Sequence, residues 1–389
     1  MKSVSRIFRQ NAQTSIIILA LIVIWLIFTI LAAVMKDVNF LSPQNISNIF
    51  RQMTITGIMA TGMVLVIVTG NIDLSVGRLA GFASTAVAFN QAYRFTDSPA
   101  VAAVVSIGIG LAVGTLWGMF QGYIISYLRV PAFIVTLGSM FILGGLTLLQ
   151  TEGQTITSNQ PYFNVIGQGY LDPIWGWVLA AIVTAALFIL MFRGRRNKQK
   201  YGFPLPSLQA DVIKAALFAA LLWVYVFIVN QYHGVQVPVL ILGIVAVVMT
   251  YMSNNTRFGR YAYAIGGNRE AARLSGINIR QNIFLVFVLI GFLSGVAGIM
   301  LASYVGYGTI GAGTGYELDV IAAAILGGTS TLGGIGTIPG ALIGALIMAS
   351  LNTGLQILDV APAWQGVAKG IVLILAVLLD VYFKKDSNK

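Results

Sequence analysis

Apolar runs of about twenty residues, separated by short polar stretches, recur along the whole chain. A run of that length is what an α-helix needs to cross the ~30 Å hydrocarbon core of a bilayer. The pattern predicts spans at roughly 14–35, 53–70, 77–93, 99–125, 132–150, 175–192, 211–230, 237–252, 282–304, 317–333, 335–353 and 364–383. Twelve spans make the fold class all-α, a polytopic transmembrane helical bundle forming a single domain over residues 1–389. The first run follows Lys2, Arg6 and Arg9 and is too long for a signal-peptide core, so it reads as a signal anchor with its N-terminus inside. The span at 317–333 is the least regular, because Glu317 and Asp319 open it and "GGTSTLGG" closes it. A re-entrant dip there would leave Lys384 and Lys385 outside, against the arginine-rich loops, so a full crossing is expected.

Composition narrows the class. Hydrophobic residues make up 57% of the 389 positions and charged residues 9%, which places the chain outside soluble globular proteins. A net charge of +11 could serve nucleic acid, but the basic residues cluster between apolar runs, as membrane topology requires. Threading from an inside N-terminus puts the basic loop 193–210, with "RGRRNKQK", on the cytoplasmic side. The loop 253–281, with Arg257, Arg260, Arg269, Arg273 and Arg280, and the tail with Lys384, Lys385 and Lys389 fall on that side too. Both termini are then cytoplasmic, lipid is the surrounding medium and no nucleic acid partner is expected.

Catalysis finds little to work with. There is no cysteine, and the one histidine, His233, lies in the outside loop "NQYHGVQVP", away from Ser75 and Ser139. The richest glycine stretch, 327–340, has no lysine to reach a phosphate. The chain is therefore read as a transporter rather than an enzyme, with no catalytic residue, metal or cofactor of its own.

Small residues recur at four-residue spacing: Gly77 and Gly81; Gly114, Gly118 and Gly122; Gly291 and Gly295; Gly336, Gly340 and Gly344. That spacing lets helix backbones approach closely where lipid supplies no hydrophobic drive. Two stretches interrupt the apolar pattern with acids, "GNIDLSVGR" (70–78) and "GTGYELDV" (313–320). Their weak similarity points to an internal repeat whose broken helices face one another. Asp73 either caps the helix that starts near Ser75 or lines a path through the bundle, and the two roles are compatible.

One polar stretch is built as a helix. In "NREAARLSGI" (268–277), Asn268 is placed to cap, Glu270 sits in the first turn, Ala271 and Ala272 propagate and Gly276 offers a left-handed stop. Ala271, Leu274 and Ile277 form an apolar edge suited to a groove on another protein. A loop that only fixes orientation would explain the arginines but not the capped, alanine-rich helix.

With that helix in context, the chain resembles the permease subunits of bacterial ribose- and xylose-type monosaccharide ABC importers, the carbohydrate uptake transporter-2 family. The resemblance covers almost the whole chain and is carried by 55–77, 129–140, 257–279, 313–354 and 364–380. The extra spans near 175–230 make ten core spans plus an inserted pair, and bring it nearest the xylose and multiple-sugar permeases. The resemblance implies a bacterial inner-membrane homodimer that moves xylose or a related aldose from periplasm to cytoplasm. It also implies a cytoplasmic ATP-binding subunit, which binds the ATP and Mg, and a periplasmic sugar-binding protein. Asn268, Glu270, Ala271, Ala272 and Gly276 then form the motif that seats in the ATPase, although the "I-x-L-P" that follows it elsewhere is absent from "INIRQNIFLVF". Because an aldose is neutral, its path needs polar groups that suit hydroxyls, and Asn71, Asp73, Ser75, Tyr316, Glu317 and Asp319 are the candidates. The alternative is a proton-coupled secondary sugar transporter with Asp73 as the proton carrier.

Overall fold

The computed structural model describes residues 12–94, 98–158, 160–205 and 207–387. In chain order its elements are α1 (Ala12–Lys36), α2 (Pro43–Val68), α3 (Val76–Tyr93), α4 (Pro99–Ser126), α5 (Ala132–Thr151), β1 (Ile156–Thr157), α6 (Pro161–Gln168), α7 (Pro173–Lys200) and α8 (Leu208–Asn230). There follow α9 (Val237–Asn255), α10 (Arg257–Gly267), α11 (Arg269–Leu274), α12 (Ile279–Val305), β2 (Tyr307–Gly308), α13 (Tyr316–Leu326), α14 (Ile338–Ile357) and α15 (Pro362–Ser387). The only sheet among the described residues is the antiparallel pair β1 and β2, two residues each, which joins the loop after α5 to the end of α12.

Helix starts follow local chemistry. Proline stands at the head of α2, α4, α6, α7, α9 and α14, where its missing N–H costs nothing. Side-chain oxygens of Ser42, Asp172, Ser207 and Thr337 cap α2, α7, α8 and α14.

The bundle is built around α2, in which every residue from Met53 to Val68 is buried. α14, α12, α13 and α9 pack on it, and α12 also makes the most extensive helix pair of the fold with α4. The small-residue expectation is realised at that pair: a side chain added at Gly114 would run into the Gly291 carbonyl and the Gly295 backbone. Gly114→Leu is therefore expected to destabilise the protein at or beyond the about 1–3 kcal/mol typical of overpacking. Gly108→Leu, on the same helix with open space around it, should leave the melting temperature in detergent unchanged.

α7 and α8 form a peripheral hairpin. Only Gly176 and Ala180 of α7 are buried, Trp177 stacks on Trp223 of α8 at 5.5 Å, and Arg195 pairs with Asp211. The hairpin meets the bundle through Ile46, Val226, Val229 and Val235. The hairpin covers the spans expected at 175–192 and 211–230.

Nine of the described helices are long and apolar enough to cross a membrane; α3, α13 and α15 fall outside that set. The expected helix at 317–333 is corrected: α13 ends at Leu326 after 11 residues. That is about 16 Å at 1.5 Å per residue, half a hydrocarbon core. It stops because Gly327 packs backbone to backbone against Gly340, and 328–337 continues as an irregular strap. Two loops are likewise largely helix. α7 runs through the basic stretch to Lys200, with Lys198 and Lys200 in its last turn where the helix dipole favours cations. α10 occupies 257–267 on the spacing of Phe258, Ala262 and Ile265, half-buried or buried along one face.

Candidate functional site

Two interruptions of the helical pattern meet inside the bundle. The first follows α2: Gly70 adopts φ +78° and residues 71–75 run without helix into α3. The second precedes α13, where Gly313 and Gly315 take φ +72° and +82°. A side chain at Gly77 would strike Glu317 and the Gly313 carbonyl, and one at Gly81 the Ala312 carbonyl. The first turns of α3 and α13 thus abut, as the paired motifs predicted. Each break lies against the other, so the irregular backbone of both is enclosed by protein.

Asp73 is fully buried at the first break. Its Oδ1 accepts the Ser75 N–H at 2.8 Å and the Ser75 hydroxyl at 2.6 Å, while Oδ2 accepts Gln121 Nε2 of α4 at 2.9 Å. Ser75, not Asp73, is the cap residue of α3, and it makes no side-chain cap bond. Asp73 therefore caps a turn rather than the helix, and its second oxygen ties the break to α4. Asn71 is half-buried and donates to Thr69 Oγ1 at 3.0 Å.

At the second break Tyr316, Glu317 and Asp319 open α13, Tyr316 and Glu317 half-buried and Asp319 fully buried. Both acids lie in the first turn, where the helix dipole favours negative charge. Asp319 Oδ2 accepts Asn352 Nδ2 of α14 at 3.1 Å and pairs with Lys369 Nζ of α15 at 3.0 Å. One carboxylate thereby joins three helices. Arg78, in the first turn of α3, donates to the Ile310 carbonyl at 3.3 Å.

At the Val68 end of α2 stand α10 and α11. Asn268 Oδ1 accepts the Ala271 N–H at 2.9 Å, Glu270 pairs with Arg273 at 2.5 Å, and Gly276 takes φ +78°. Ala272 packs inward, whereas Ala271 and Leu274 are exposed, Leu274 by 77%. The local geometry is the one the spacing predicted. Two neighbours meet at the end of α2: Gly334 N–H of the strap donates to the Val68 carbonyl at 2.9 Å, and Gly266 of α10 lies against the same carbonyl. Tyr263 of α10 donates to the Gly336 carbonyl at 2.8 Å. Burial pushes the Tyr263 phenol up, with the Ser253 hydroxyl drawing it back, so it stays a donor at neutral pH.

The six path candidates thus fall into two adjoining groups about Gly77, and the five coupling candidates onto one capped turn. Gln121, Asn352 and Lys369 were not singled out from sequence. A lone amide in the apolar run "LWGMFQGYII" was a signal for Gln121, since such a side chain at membrane depth needs a partner. His233 sits between α8 and α9 with its ring against Tyr232 and Tyr170.

Residues 45–377 match a family model described as branched-chain amino acid transport system / permease component. The chain is 39% identical to the xylose transport system permease protein XylH of Haemophilus influenzae, over 96% of this chain and 98% of that one. It is 40% identical to XylH of Escherichia coli over 97% and 94%, and 36% identical to the ribose import permease protein RbsC of Escherichia coli over 88% and 87%. No solved structure matches it significantly. A multi-pass chain with this match along most of its length is not an isolated helical bundle: it belongs to this family of transport-system permease components, beside the sugar permeases of the xylose and ribose systems.

Proposed function

We propose that the chain is the permease subunit of an ATP-driven ABC importer that carries a monosaccharide, xylose or a related aldose, across the bacterial inner membrane into the cytoplasm. ATP is hydrolysed by a separate cytoplasmic subunit. A periplasmic binding protein delivers the sugar, and a second permease copy completes the membrane pore. The observation that carries this reading is the capped turn at 269–274, with Ala271 and Leu274 exposed and its neighbour Gly266 pressed against the carbonyl that anchors the strap.

The mechanism is alternating access. ATP binding closes the partner subunit and displaces the cleft that seats α11. That displacement passes through α10 to the Val68 carbonyl, and through the start of α12 to the α4–α12 glycine contact. α2 and the strap move together, α13 carries the strap's displacement to the second break, and the two breaks, at 70–75 and 309–315, repack against each other. The loaded binding protein contributes differential affinity for the outward-open state, which is what an effector must do to shift an equilibrium. Asn71, Ser75, Tyr316 and the acids present hydroxyl-compatible groups along this seam and need no counter-charge for a neutral sugar.

The test is reconstitution. Vesicles holding permease, ATPase subunit and sugar-loaded binding protein accumulate sugar only with internal ATP and keep doing so when an uncoupler removes the proton gradient. Uptake by the permease alone that collapses with the uncoupler would establish the proton-coupled alternative. Asp73→Asn discriminates further: the amide still accepts from Ser75, so partial uptake is expected, whereas a proton carrier predicts near-complete loss.

A further inference from the structure

A cavity of about 750 Å³ lies between α11, the α4–α5 connection and the start of α12, in the size range of small-molecule sites. Arg129, Arg269, Arg273 and Arg280 line it, with Asn71 and Asn278 between them. Only Arg273 has a carboxylate partner, Glu270; among the described residues no acid pairs with Arg129, Arg269 or Arg280. Four exposed guanidinium groups around one recess concentrate positive potential there, which attracts anions. Arg129 is held there at φ +62°, a left-handed backbone that residues other than glycine rarely adopt. Ile277 of the apolar edge lines the recess, whereas exposed Leu274 does not.

We infer that this recess binds a phosphate-bearing anion. The planar guanidinium fork matches phosphate oxygens two at a time, and several forks converging from different elements select phosphate over a monovalent halide. The occupant ties Arg269 and Arg273 beside the capped turn to Arg129 on the α4–α5 connection and to Arg280 on α12. With Asn71 of the first break in its wall, it braces the proposed lever against the bundle and slows coupled transport. That restraint rests on the importer reading; the binding itself does not. The phosphate belongs either to a diffusible monoester or to an anionic lipid headgroup.

The experiment uses the full-length permease in nanodiscs. In pure phosphatidylcholine, millimolar inorganic phosphate should raise the thermal midpoint by about 2–4 °C, against chloride at matched ionic strength. The shift should vanish in the Arg129→Gln/Arg280→Gln double variant. No phosphate effect, but an equal shift with phosphatidylglycerol that the double variant loses, identifies the headgroup as the occupant. A wild-type protein indifferent to both, or a variant that responds as the wild type does, overturns the site. In the assembled complex the same anion should lower sugar-stimulated ATP hydrolysis several-fold, and the double variant should escape this inhibition. Binding without inhibition overturns the brace, while a complex with no ATP hydrolysis under any condition fails the importer reading and leaves the anion site standing.

Discussion

Glu270→Lys leaves the permease folded and in the membrane but abolishes sugar-stimulated ATP hydrolysis by its partner. The stability cost is small: Glu270 and Arg273 are both mostly exposed, and an exposed pair contributes at most about 1 kcal/mol. Reversing the charge also removes a favourable helix-dipole contact of about 0.3–1 kcal/mol. The functional cost is large because the turn has only six residues and one capping side chain, so a lysine in its first turn disturbs the whole of the proposed docking surface. Gly276→Pro acts by a different route to the same end. Proline fixes φ near −65° and has no N–H, whereas Gly276 holds φ +78° and donates to the Arg273 carbonyl at 3.0 Å. The measurement is ATP turnover with and without loaded binding protein, beside a melting curve of the permease. Full stimulation in both variants would remove α11 as the coupling element.

Lys369→Met is expected to be the most destabilising single substitution at the breaks. Asp319 is fully buried, and removing its cation leaves a carboxylate facing only Asn352, a situation that costs about 3–5 kcal/mol in buried pairs. Asp319→Asn/Lys369→Met removes both charges and should recover most of that loss, because an amide can still meet Asn352. Unfolding midpoints of the two variants and the wild type in one detergent decide it. A double variant no better than Lys369→Met would mean that the ammonium stabilises through packing, not charge.

How much of this was legible in sequence depended on whether the signal was local. Long apolar runs announce membrane helices because nothing else satisfies the backbone in lipid, and α1, α4, α8 and α12 lie within a few residues of their expected bounds. The turn at 269–274 was equally legible: its cap, its acid and its glycine stop all lie within nine residues. α10 was not, because Arg257 and Arg260 made a loop of a stretch whose Phe258, Ala262 and Ile265 share a face. The truncation of α13 depended on Gly327 meeting Gly340, a contact between elements that helix periodicity does not encode. The acids at both breaks stood out by type, yet Gln121 lies 48 residues from Asp73 and Lys369 lies 50 from Asp319, separations at which no spacing rule pairs them.

The Val68 carbonyl has a thermodynamic consequence of its own. Gly334 occupies it and Gly266 shields it, so pulling the strap away without α10 would strand a polar oxygen in an apolar interior. Partial excursions are thereby penalised, and the segments around that oxygen can only relocate as one block. Such a subunit behaves like a toggle with two resting positions rather than a graded squeeze, and its opening and closing should appear in single-molecule records as abrupt jumps between two levels.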